Sequence, residues 1–133
     1  LLKLERVDTA IIRTAATDLK VGEKVYAMSS PAGVFHPPTV PLLEGIYSGR
    51  VTTYNNSGLV TIPAVGGSSG SAVLNSNMNL VGLIYAAAVG FEHSSIMINL
   101  QEIRSFLKEG LAKDPDNSDD HLIVDPFLNK FGF

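Results

Sequence analysis

Val65-Gly66-Gly67-Ser68-Ser69-Gly70-Ser71-Ala72-Val73 is the stretch that decides how the 133-residue chain is read, because it sets one serine among glycines just ahead of an apolar run. Small residues at Gly66, Gly67 and Gly70 let the backbone turn sharply and let a carbonyl group approach closely. Free N–H groups at Gly67 and Ser69 can then converge on a developing oxyanion. An exposed, activated nucleophile needs such a setting, and Ser69 is the candidate. Glycine-serine runs also occur as flexible linkers. The flanks exclude that reading here. Thr61-Ile62-Pro63-Ala64-Val65 before the turn and Ser71-Ala72-Val73-Leu74 after it are apolar and strand-like, so the glycines form a tight turn between core elements.

Composition bounds the rest. With 45% hydrophobic and 17% charged residues, the chain can bury one substantial core, and a single compact domain is expected. A formal net charge of −3, with lysines and arginines scattered singly, leaves no basic footprint for nucleic acid. Without cysteine there is no disulfide framework and no thiolate metal site, so stability must come from packing. No apolar run approaches the roughly 18 residues that cross a bilayer, so no membrane partner is expected. The chain opens on Leu1-Leu2-Lys3-Leu4 without Met, as the middle of a longer gene product would.

Outward from the serine turn, the pattern is β-rich. Residues 1–17 read as an extended connector, with weak alternation at its start. Lys24 to Ser29 alternates as a first strand, and Pro31-Ala32-Gly33 with Pro37-Pro38 forces a loop. Leu43 to Tyr54 is a long second strand, and Asn55-Asn56-Ser57-Gly58 turns into a third, Leu59 to Ala64. Past the serine turn, Ser71 to Leu74 pairs with Leu80 to Ala86 through the turn Asn75 to Asn79, and Ser94 to Asn99 supplies a sixth strand. Six short strands predict an all-β fold, a small antiparallel barrel. Asn99 as N-cap, Glu102 three residues later, and Leu100, Ile103, Phe106 and Leu107 on one face predict a closing helix. The barrel and helix thus span 18–112, and the aspartate-rich residues 113–133 form an acidic tail.

Several motifs in order resemble the C-terminal half of a chymotrypsin-fold, trypsin-like serine protease of the HtrA type, over roughly Leu1 to Lys108. Leu19-Lys20-Val21-Gly22-Glu23-Lys24-Val25-Tyr26-Ala27-Met28-Ser29-Ser30-Pro31-Ala32-Gly33 resembles that family's LxVGexVxAIGxPxG strand and loop. Gly45-Ile46-Tyr47-Ser48-Gly49-Arg50-Val51 resembles its GIVS strand, Gly67-Ser68-Ser69-Gly70-Ser71 its GNSGG nucleophile loop, and Leu80-Val81-Gly82-Leu83-Ile84 its VIGI strand. Order and spacing together make the match specific. The resemblance implies the second, Greek-key barrel of that fold and a serine endopeptidase acting on polypeptides.

Carried over residue by residue, the resemblance puts the nucleophile on Ser69 and the oxyanion donors on the N–H groups of Gly67 and Ser69. Ser68 stands where animal digestive proteases have an aspartate that pairs with a newly cut N-terminus, so activation by that route is not expected. Ser71 replaces the family's second glycine and Ala72 its proline. Pro63, Ala64, Ala87 and Ser95 fall around the pocket for the side chain before the scissile bond, and Tyr85-Ala86-Ala87 along the substrate backbone. None is charged, so small or medium apolar side chains are expected there.

The catalytic His and Asp of this family precede the serine on a first barrel, with the aspartate just ahead of where Leu1 stands. That N-terminal barrel is therefore an expected partner, oligomerisation is a further expectation, and the chain alone is expected to be inactive. His36, His93 and His121 read as solvated loop histidines. An α/β-hydrolase elbow needs a helix after the serine, and a phosphate loop needs a lysine; the stretch supplies neither. The acidic tail lacks an EF-hand's glycine and terminal glutamate. No cofactor or metal is expected. The alternative to an active peptidase is a protease-like domain used only for binding or assembly.

Overall fold

The computed structural model describes residues 12–33, 39–55 and 57–112. Alternation in β1 (Lys24–Met28) turns Val25 and Ala27 inward, both without exposed surface. β1 has a partner on each side: β2 (Leu42–Val51), with Val25 opposite Gly45, and β4 (Ala72–Asn75), with Tyr26 opposite Leu74. β2 continues to β3 (Ser57–Val60), β3 to β6 (Ser95–Asn99), β6 to β5 (Leu80–Ala87), and β5 back to β4. The six antiparallel strands close into a barrel in the order β1-β2-β3-β6-β5-β4. Closure leaves no strand edge unpaired. Because β3 neighbours β6 rather than β4, residues 61–71 must cross from one side of the barrel to the other. The serine turn lies in that crossing.

The core gathers Val25, Ala27, Tyr47, Val60, Ile62, Val73, Val81, Ile84, Met97 and Leu100. Burial of each large aliphatic side chain contributes about 1.5–3 kcal/mol, so the barrel holds without covalent staples. At Gly45 a side chain is excluded: a Cβ there would lie 2.5 Å from Ile62 Cγ1 and 2.7 Å from the Thr61 carbonyl oxygen. That close approach lets Ile46 and Thr61 exchange bonds, Thr61 N–H to Ile46 O at 3.0 Å and Ile46 N–H to Thr61 Oγ1 at 2.8 Å. The start of the crossing is thereby fixed to β2.

The strands depart from their expected limits for local reasons. β3 stops at Val60 instead of running to Ala64, because Thr61 turns its hydroxyl to β2 and Pro63 has no N–H to offer a ladder. β2 ends at Val51 in a short 3₁₀ turn, Thr52–Tyr54, and Asn55 takes a left-handed conformation (φ 51°) to lead into β3. Ser71 stays outside β4 because its N–H closes a turn onto Ser68 O. The turn expected at Asn75 to Asn79 is organised by Asn75, whose Oδ1 accepts the N–H groups of Asn77 and Asn79, each at 3.0 Å.

Residues 12–17 lie against the barrel. Thr14 bridges Leu80 in parallel, Ala15 is buried, and Arg104 donates from the helix to Ala15 O. That helix, α1 (Leu100–Ala112), buries Leu100 and half-buries Ile103 and Leu107, while Phe106 is exposed. At 3.6 residues per turn Phe106 falls off the stripe of the other three, which corrects its expected place on the apolar face. The loop with His36 and Pro37-Pro38, the start of the chain and the acidic tail lie outside the described residues.

Candidate active site

Two four-residue turns, back to back, make the serine turn. Ser68 N–H closes onto Val65 O at 2.9 Å, and Ser71 N–H closes onto Ser68 O at 3.2 Å. Glycine occupies the third position of each, Gly67 at φ +94° and Gly70 at φ +86°, where a positive φ favours a residue without Cβ. Ser69 sits at the second position of the second turn and is exposed. The turns are fastened on both sides: Gly70 N–H donates to Ile84 O at 2.7 Å and Ile84 N–H to Ser71 O at 3.0 Å, while Ala32 N–H donates to Gly66 O at 2.6 Å.

This fastening leaves three donors over. Among the described residues, the N–H groups of Gly66, Gly67 and Ser69 donate to no partner. The last two are the groups the sequence assigns to an oxyanion. Ser69 Oγ donates to Tyr85 O at 3.3 Å, a long bond from an exposed hydroxyl. Residues 57–76 include no ionisable side chain, so the turn offers dipoles and a hydroxyl but no base of its own. His93 is exposed at φ +61° in the turn between β5 and β6, and His36 and His121 lie outside the described residues. No group of three or more His, Cys, Asp or Glu able to hold a metal occurs among the described residues.

Of the expected substrate-binding residues, Tyr85, Ala86 and Ala87 end β5. The β5–β6 register slips between Ile84 and Ala86, and this irregularity accompanies the turn of Tyr85 O toward Ser69. The Tyr85 phenol shares a 3.3 Å hydrogen bond with Ser57 Oγ. Ala87 is exposed and pairs with Ser95, which has no exposed surface and whose Oγ has no hydrogen-bond partner. Pro63 is exposed and Ala64 packs half-buried on the core, both in the crossing. Past Ala87 an apolar cleft of about 540 Å³ opens between Val51, Leu59, Ala88, Val89, Phe91 and Ile96. Two contacts have no local signature in sequence: Ser57 with Tyr85, and Ser29 with Ser68. Each joins residues far apart in the chain.

A closed six-stranded antiparallel barrel followed by one helix defines a class, the barrel of a chymotrypsin-fold peptidase. The chain belongs to the trypsin-like peptidase domain family, which it matches over residues 1–83. Solved structures agree on the fold. The serine endoprotease from Yersinia pestis superposes with a TM-score of 0.71 at 17% identity, over 84% of this chain and 39% of that one. The inactive form of a serine-to-alanine mutant of Rv3671c from Mycobacterium tuberculosis H37Rv superposes with a TM-score of 0.67 at 15% identity, over 84% of this chain and 58% of that one. The active form of the Rv3671c protease gives 0.66 at 15% identity, over 78% and 49%. The chain therefore spans less than two thirds of each of these proteins. No curated protein matches it.

Proposed function

We propose that this chain is the second barrel of a serine endopeptidase, carrying the nucleophile Ser69, the oxyanion donors Gly67 and Ser69, and the specificity pocket. The carrying observation is that the Gly67 and Ser69 N–H groups are unengaged beside an exposed serine hydroxyl, in a turn hydrogen-bonded to the barrel on both sides. In this reading a histidine from an upstream barrel, oriented by an aspartate, takes the proton of Ser69 Oγ as the oxygen attacks the scissile carbonyl. The new C–O bond pushes the carbonyl electrons onto oxygen, where the two N–H groups receive them. The imidazolium then protonates the leaving amine, and water repeats the sequence on the acyl-enzyme. Ser69 must release Tyr85 O to meet the base, a small demand on a 3.3 Å bond.

Residues 1–17 are proposed as the connector from that upstream barrel, 18–112 as the barrel with its helix, and 113–133 as an acidic tail. Met28 and its cross-strand partner Leu42, with Val40 beside them, expose apolar surface that supports a docked partner. The test is direct. Residues 1–133 alone are expected to show no peptide turnover above buffer, and the protein with its upstream barrel is expected to cleave a peptide substrate. Equal turnover by both would show that no outside base is needed and overturn the assignment.

Specificity follows from the neutral surroundings of Ala64, Ala87 and Ser95. A charged side chain brought there would lose its hydration without gaining a counter-charge. Cleavage after small and medium apolar residues is expected, graded among them, because one methylene discriminates by only about 1–3 kcal/mol. A peptide library profiled with the two-barrel protein checks this. Dominant cleavage after Lys, Arg, Asp or Glu would show that the pocket is made by other residues.

A further inference from the structure

Ser29 follows the last residue of β1 and is 3% exposed, and Ser68, in the middle of the serine turn, is 1% exposed. Ser29 Oγ donates to Ser68 Oγ at 3.2 Å, and Ser68 Oγ also accepts the Val65 N–H at 3.2 Å. Two buried hydroxyls thus tie the barrel wall to the peptide units on either side of Ser68. The unit after Ser68 carries the free Ser69 N–H, and the unit before it starts at Gly67, whose own free N–H lies one peptide further back. A second contact runs beside the first. Ala32 N–H holds Gly66 O at 2.6 Å, and the Ser30 carbonyl oxygen lies 2.5 Å from where a Gly67 Cβ would sit.

We propose that Ser29 is a positioning residue: acting through Ser68, it holds the serine turn so that the Gly67 and Ser69 N–H groups stay aimed at one point. This rests on the peptidase reading above. Backbone bonds to neighbouring elements fix Gly66, Gly70 and Ser71 at the ends of the turn, whereas those of Ser68 close within it, so the Ser68 side chain is what ties the middle of the turn to the barrel wall. Without the Ser29 hydroxyl the central peptide units can rotate while the ends stay fixed, and donors displaced by a fraction of an ångström stabilise an oxyanion less. The latch is also neutral. An aspartate paired with an amino group would titrate, whereas two hydroxyls do not, so the contribution of Ser29 is independent of pH through the neutral range.

The experiment uses the complete two-barrel protein with Ser29→Ala, Ser68→Ala and the double variant. Each single change is expected to lower kcat on the order of tenfold with KM within about twofold, because the lost geometry matters only when charge develops. The double variant is expected to fall no further than the weaker single, as members of one unit do. The pH profile of kcat/KM keeps its wild-type midpoints. A peptide boronate, whose adduct with Ser69 mimics the oxyanion, binds more weakly by the same factor as kcat. Independently of turnover, hydrogen exchange across residues 63–71 speeds up in each variant. Wild-type kcat in Ser29→Ala, multiplying losses in the double variant, or unchanged exchange over 63–71 would each overturn the latch. Absence of turnover and of Ser69 labelling in the wild-type protein would instead overturn the peptidase reading, and exchange would still report whether Ser29 holds the turn.

Discussion

Ser69→Ala in the complete two-barrel protein is expected to lower kcat by a factor on the order of 10⁶ while leaving KM and thermal stability nearly unchanged. The loss is large because the oxygen that becomes part of the acyl-enzyme is removed, and no neighbour can replace it. Ser68 is buried and already accepts two hydrogen bonds, and Ser71 N–H and O are committed to Ser68 and Ile84. Stability is spared because Ser69 is exposed and its hydroxyl makes a single 3.3 Å bond. Two measurements check this: steady-state turnover, and covalent labelling by a fluorophosphonate probe, which is expected to vanish in the variant. Equal labelling of wild type and variant would place the nucleophile elsewhere.

The residues that made the fold legible act locally. Alternation over Lys24 to Ser29 and the asparagine-rich turn after Leu74 report on their own conformation, so strands and turns near them fell where expected. The serine turn was legible for the same reason, since glycines at positive φ announce themselves. Long-range contacts were not legible. β3 ended early because Thr61 found Ile46 across the sheet, and the contacts of residues 12–17 with β5 and α1 join segments far apart in sequence. Ser29 looked like the last residue of an alternating strand, and only folding brings its hydroxyl to Ser68, 39 positions away in sequence. Burial of Ser95 likewise depends on neighbours from β3 and β5 that its own surroundings in sequence do not name.

Among the glycines of the serine turn, substitution by alanine is expected to hurt in the order Gly67, Gly70, Gly66. At Gly66 nothing lies within 4 Å of a built Cβ, so Gly66→Ala should keep near-wild-type stability and turnover. At Gly70 space is also open, but φ is +86°, and an alanine held there is strained by about 1–2 kcal/mol. Gly67 combines both penalties: φ is +94° and the Cβ would meet Ser30 O at 2.5 Å. Ser30 cannot easily yield, because the next turn is held to Gly66 O through Ala32 N–H at 2.6 Å. The Gly67 peptide must therefore move, and its N–H is one of the two proposed oxyanion donors. Loss of one such donor lowers kcat by about 10²–10³-fold, and strain at the turn removes a further about 1–3 kcal/mol of stability. Turnover and thermal midpoints of the three variants, measured in the two-barrel protein, test the ranking. If Gly67→Ala behaves like Gly66→Ala, the close approach of the turn to Ser30 does not govern the reaction, and the oxyanion must be held by other donors.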